Sequence, residues 1–254
     1  MTNLKPLGWT GSLLLFGIPA AVFTLFLFWV LPAVAAAGTD PLLTFHAGFV
    51  APLALMLIAA FVAYRLEGRP WTWAGIRERF RLERPDGRTW AWTAALVALA
   101  VVLLPVFPVT AWIQGLLANV PFYDPPQGYS SFMRGLSDGQ THIFGRPFTW
   151  GLFVYFVSGL FVFNILGEEL WWRGYILPRQ ELAFGAKAWL IHGFGWALFH
   201  IFYHYTLGIF LSYLPITLAT SFVAQRTRNT WPGIIAHMVS NLGIPLLMLS
   251  RLLA

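Results

Sequence analysis

Residues 149–177 read TWGLFVYFVSGLFVFNILGEELWWRGYIL. A helix needs about 20 mainly apolar residues to cross the hydrocarbon core of a bilayer, and this stretch is long enough. Its second half nevertheless carries Glu168, Glu169 and Arg173. Ionisable side chains inside a membrane are costly and usually face a bundle interior or a water-filled cavity. The stretch therefore reads as a transmembrane helix with polar residues turned inward.

The rest of the chain agrees. Of its 254 residues 58% are hydrophobic, 17% aromatic and only 10% charged, against about 25% charged residues in a soluble domain. That composition excludes an ordinary soluble globule, a disordered chain and a collagen-like one. The net charge of +6 comes from 16 Lys and Arg against 10 Asp and Glu, but no basic stripe lies on a polar, foldable domain, so a nucleic-acid partner is not expected. Cysteine is absent, which removes disulfides, thiolate metal sites and a cysteine nucleophile.

Seven segments are expected to span the membrane: 12–37, 45–64, 90–117, 149–177, 188–205, 207–225 and 230–250. The first is longer than a signal-peptide core of about 7–15 residues and is read as a retained span. With the N-terminus cytoplasmic, twelve basic residues fall inside (Lys5, seven arginines over 65–88, Arg179, Lys187, Arg226, Arg228) and three outside (Arg134, Arg146, Arg251). This asymmetry sets the orientation. The chain is read as all-α, one membrane domain over 1–254 with a motif-bearing core at about 149–250. Residues from about 70 to 88, including WTWAGIRERFRLER, fit an amphipathic helix on the cytoplasmic face or a solvated basic loop. The loop 118–148 is rich in Gly and Pro and reads as irregular, with Asp138 and His142 as a surface pair.

Polar residues recur in three helices. Glu169 and Arg173 are four apart and face the same way, in the favoured order for an ion pair. Glu168, about 100° away around the helix, is left free of that pair beside a second carboxylate, the setting of a general base. His200 and His204 are four apart, a spacing that suits metal ligands on a helix; His192 reads as a hydrogen-bonded packing residue. The third helix opens at Thr230-Trp231-Pro232, with Thr230 as N-cap and Pro in the first turn, and carries His237 and Asn241, again four apart. At 1.5 Å per residue, Glu168 lies about 15 Å from Pro178, His200 roughly 18 Å from Ala188 and His237 about 10 Å from Thr230, so the three sets lie at compatible depths.

A carboxylate, two histidines and an amide in a hydrated pocket suit hydrolysis. Glu168 and His200 would activate water, His237 and Asn241 would donate to a developing oxyanion, and Glu169 and Arg173 would hold the helix and its charge. A divalent metal such as zinc is the second option, on Glu168, His200 and His237 with His204 in reserve.

These residues resemble the CPBP group of intramembrane proteases, which takes in CAAX proteases and bacteriocin-processing enzymes and is also called the Abi family. Its first motif, two glutamates, three residues and an arginine, is matched by Glu168, Glu169 and Arg173. Its second, an aromatic (usually Phe) four residues before a histidine, is matched by Trp196 and His200, with Trp as a departure. Its third is matched by His237 and Asn241. The resemblance implies a peptide-bond hydrolase in a multi-pass bundle of the bacterial cytoplasmic membrane, acting on a membrane-associated or exported protein or peptide. It assigns water activation to Glu168 and His200 and the oxyanion site to His237 and Asn241; the family's designation as metalloproteases is disputed. A non-catalytic scaffold or bacteriocin-immunity protein on the same fold, and a proton-coupled transporter, are the alternatives.

Overall fold

The computed structural model describes residues 4–103, 108–117, 120–138, 141–202 and 206–254. The chain is a bundle of helices. α1 covers Trp9–Ala36 and α2 Pro41–Leu66, both strongly apolar. The short α3, Trp73–Arg79, leads to α4, Gly87–Val102, and α5, Pro108–Leu116. After α6, Gln127–Gly135, a two-stranded hairpin pairs β1, His142–Ile143, with β2, Arg146–Pro147. α7 then runs over 150–184, followed by α8, Ala188–Phe199, α9, Leu207–Thr227, α10, Trp231–Ser240, and α11, Gly243–Leu253.

The sequence α7-turn-α8 is unbroken in helical character over Trp150–Phe202, yet it reverses. A straight helix would hold Gln180 and His192 about 18 Å apart, whereas Gln180 Oε1 and His192 Nδ1 lie 2.7 Å apart. The reversal passes through Gly185 at φ 57°, ψ −130°, a conformation open essentially to glycine alone. Two antiparallel arms result, and they bring Trp196 onto Glu168.

Among the described residues four helical runs, the reversing Trp150–Phe202 counted once, are long and apolar enough to cross a membrane, or five if α10 and α11, bent by 56°, count as one span. The seven expected crossings are thus not confirmed. Over the expected third span, 90–117, the described residues form α4, 16 residues long, and α5, of nine, with 104–107 outside them. Residues expected on the cytoplasmic side do gather at one end: Leu7 N–H bonds Arg179 O, Asn229 bonds Glu83 O and Arg81 pairs with Glu181. Arg146 pairs with Asp40 elsewhere.

In the basic segment the helix α3 forms over Trp73–Arg79, with Trp71 and Trp73 exposed and Arg79 and Phe80 buried against α7. Two other expectations change. The loop 118–148 holds α6 and the hairpin, whose turn places Phe144 and Gly145 at positive φ; Asp138 and His142 do form a surface pair, 3.4 Å apart. Thr230 does not cap α10 with its side chain, because its hydroxyl donates to Phe80 O instead. Asn229 Oδ1 takes the Trp231 N–H.

The main core joins α1, α2, α7 and α8. Phe16 stacks on Trp172 and Phe23 on Phe202, with ring centroids 4.7 and 4.8 Å apart. The first apolar helix is therefore packed directly on the helices that carry the polar residues.

Candidate active site

Glu168 and Glu169 sit in a three-residue stretch of α-helical turn, Gly167–Glu169, flanked by wider π-type turns at Leu160–Leu166 and Leu170–Ile176. Such widenings are common at functional sites. They leave the two neighbouring carboxylates in different surroundings. Glu168 Oε2 accepts the indole N–H of Trp172 at 3.2 Å and that of Trp196 at 2.9 Å. His200 Nε2 lies 3.7 Å from the same oxygen.

His200 follows the last residue of α8, in a tighter turn over His200–Phe202. Its Nδ1 is 2.9 Å from Trp196 O. A carbonyl can only accept, so Nδ1 carries the proton, and in the neutral ring Nε2 presents a lone pair toward Glu168. Two acceptors 3.7 Å apart are suited to sharing the two hydrogens of one water.

Glu169 is sealed. Its Oε1 accepts from Arg173 Nη1 at 2.9 Å and lies 3.0 Å from His237 Nδ1. Its Oε2 packs on Gly233, where an added Cβ would come within 2.3 Å of it. The Arg173 guanidinium also lies over the Trp196 ring, 3.5 Å from its centroid. A buried ion pair is stable only with good geometry and further hydrogen bonds; His237 supplies one of them. Its Nδ1 is thereby committed to Glu169, leaving Nε2 for the cavity.

One cavity of about 340 Å³ is lined by Glu168, His200, His237 and Asn241 together with Asn164 and Tyr213. All four expected catalytic residues meet there, and Glu169 and Arg173 form the expected pair behind them. Asn241 follows the end of α10, and its Nδ2 donates to His237 O at 3.0 Å, so its amide also braces the turn. His192 has the packing role expected of it, bonded to Gln180. His204 lies outside the described residues.

For a metal the donors are less well arranged. Among the described residues no three His, Asp or Glu side chains come together as a ligand group. No step below is routed through an ion.

Sequence reading missed Asn164, Tyr213 and the indole donors. Asn164 stands four residues before Glu168, on the same helix face, a spacing that was legible; its Oδ1 is buried with no hydrogen-bond partner among the described residues. Tyr213, on α9, packs against His200 with ring centroids 4.9 Å apart.

Residues 149–243 match the protein family described as type II CAAX prenyl endopeptidase Rce1-like. No curated protein and no solved structure matches the chain. The match encloses all six motif residues, Glu168, Glu169, Arg173, His200, His237 and Asn241, and the segment 149–243 is similar to that family, as the resemblance to CPBP intramembrane proteases implies.

Proposed function

We propose that this chain is an intramembrane endopeptidase that cleaves a peptide bond of a membrane-associated or exported substrate, in a multi-pass bundle of the bacterial cytoplasmic membrane. The observation that carries the reading is the 3.7 Å approach of His200 Nε2 to Glu168 Oε2 in a cavity shared with His237 and Asn241. A water held between the two would donate one O–H to each. As its oxygen attacks the scissile carbonyl, Glu168 takes the proton, the C–O bond forms and the carbonyl oxygen gains the negative charge. Collapse of the tetrahedral species breaks the C–N bond, and protonated Glu168 returns the proton to the leaving amine.

The oxyanion needs donors. A protonated His237 ring would donate from Nδ1 to Glu169 and from Nε2 to the oxyanion, with the Glu169 carboxylate facing its charge; Asn241 adds an amide N–H. Glu169 is thus a brace for His237 in this reading, a role beyond its pairing with Arg173. The family match favours CAAX-type substrates, and no metal is needed for the steps written.

Purified protein in proteoliposomes, offered a prenylated CAAX peptide and the same peptide unprenylated, tests the reading by mass spectrometry of the products. Cleavage by the wild type that is absent from Glu168→Ala and His200→Ala supports it. Equal cleavage by all three removes it, and ion flux without proteolysis favours a transporter. Activity that survives dialysis against a chelator is expected; loss that zinc restores would instead assign Glu168, His200 and His237 to a metal.

A further inference from the structure

The segment after α3 makes an unusual set of contacts. Four consecutive carbonyls, of Phe80, Arg81, Leu82 and Glu83, accept hydrogen bonds from Thr230 Oγ1 (2.7 Å), Thr230 N–H (2.9 Å), Trp231 Nε1 (3.2 Å) and Asn229 Nδ2 (2.8 Å). Those donors form the entry to α10, and His237 lies seven residues further on, about two turns. On its other side the same segment grips α7. Arg79 Nη1 donates to Gly174 O at 2.7 Å and Nη2 to Tyr175 O at 3.4 Å. Phe80 packs so closely on Gly174 that an added Cβ would lie 2.7 Å from its ring.

Gly174 lies in the π-type turn Leu170–Ile176, and Arg79 adds a donor to its carbonyl from 95 residues away. Its own charge is met side-on by Glu67, at 2.6 and 2.8 Å, a bidentate geometry that lysine cannot reproduce. The chain leaves α3 through Arg81, a non-glycine residue at φ 55°, which is held there by two bonds to Glu181 at 2.7 and 2.6 Å.

We infer that residues 79–83 are a clasp that sets the spacing between the helix of Glu169 and the helix of His237, with Arg79 as its positioning residue. The clasp joins α7 to α10 at one end; the 3.0 Å contact of His237 with Glu169 joins them at the site. Arg79 acts through Gly174, the chain neighbour of Arg173, and so on the carboxylate that orients His237. The inference rests on the proteolytic reading for its effect on rate, but not for its effect on helix spacing.

The test uses the full chain and both readouts. The chain contains no cysteine, so spin labels at Leu182→Cys and Arg228→Cys report the distance between the two helix ends without background. Arg79→Met is expected to widen that distance distribution and lower kcat at least tenfold with KM within twofold. Arg79→Lys, which keeps the charge but not the bidentate geometry, is expected to recover less than threefold of the lost kcat. A folded Arg79→Met protein with unchanged distances and kcat overturns the clasp. Should Arg79→Met fail to fold, Thr230→Val removes one clasp bond alone, and unchanged distance and rate in that variant count equally against it. If the wild type cleaves nothing, the proteolytic reading falls while the distance measurement still decides the clasp.

Discussion

Glu168 and Glu169 are adjacent in the chain and both buried, but they belong to different kinds of site. Around Glu168 the contacts are two indole N–H groups and an imidazole too far for a direct bond, and the carboxylate opens on a cavity. Around Glu169 they are a guanidinium, an imidazole nitrogen at bonding distance and a glycine that leaves no room. The first lines a cavity that can admit a further molecule; the second does not, and Glu169 Oε2 with Arg173 Nε and Nη2 are buried there without a hydrogen-bond partner among the described residues. One carboxylate is therefore available for chemistry, and the other fixes the position of what surrounds it.

The largest contrast should appear on removing each charge. Glu168→Gln is expected to lower cleavage by about 10²–10⁴-fold, the range of general-base catalysis, with thermal stability little changed. Glu169→Gln should lose both, because breaking a buried ion pair leaves Arg173 unpaired at about 3–5 kcal/mol. Gly233→Ala, which pushes on the same carboxylate, should resemble Glu169→Gln in melting temperature and turnover. Similar stability losses for both glutamate variants would erase the distinction.

A smaller effect is expected at Trp196. Trp196→Phe keeps an aromatic ring and removes one donor to a charged group, worth about 1.5–3 kcal/mol, so kcat should fall roughly ten- to a hundredfold; Trp172→Phe, whose contact is longer, should fall less. Equal or faster turnover in Trp196→Phe would mean that the indole N–H does not hold Glu168. Smallest is Asn164→Leu. Its unpartnered Oδ1 in the cavity wall is placed to accept a substrate N–H, so KM should rise several-fold with kcat nearly constant. A changed kcat with constant KM would instead make Asn164 part of the chemistry.

The legible parts of this site are those set by local spacing. The interval of four between Glu169 and Arg173 is a helix-face relation, and it appears as the buried pair. The meeting of His200 and His237 with Glu168 was open to sequence only as compatible depth. What brought Trp196 onto Glu168 was a reversal at Gly185, which no apolar periodicity announces. The Glu169–His237 contact joins residues 68 apart and left no local trace. Arg79 was misleading for a related reason: a basic run beside a span ordinarily stays in water or at the headgroups. Here Glu67 and the carbonyls near Pro178 hold one of those arginines inside. The span count of seven is not confirmed: hydropathy records how apolar a stretch is, and shows neither the end of α4 at Val102 nor the bend between α10 and α11.

Turnover of one peptide by Glu168→Ala, His200→Ala and the double variant tests the shared-water claim most directly. Two groups acting on the same water should not contribute independently. Each single variant is expected to lose about 10³-fold in kcat, and the double variant should be no slower than the slower single. Losses that multiply in the double variant, or a His200→Ala protein that cleaves at the wild-type rate, would contradict it.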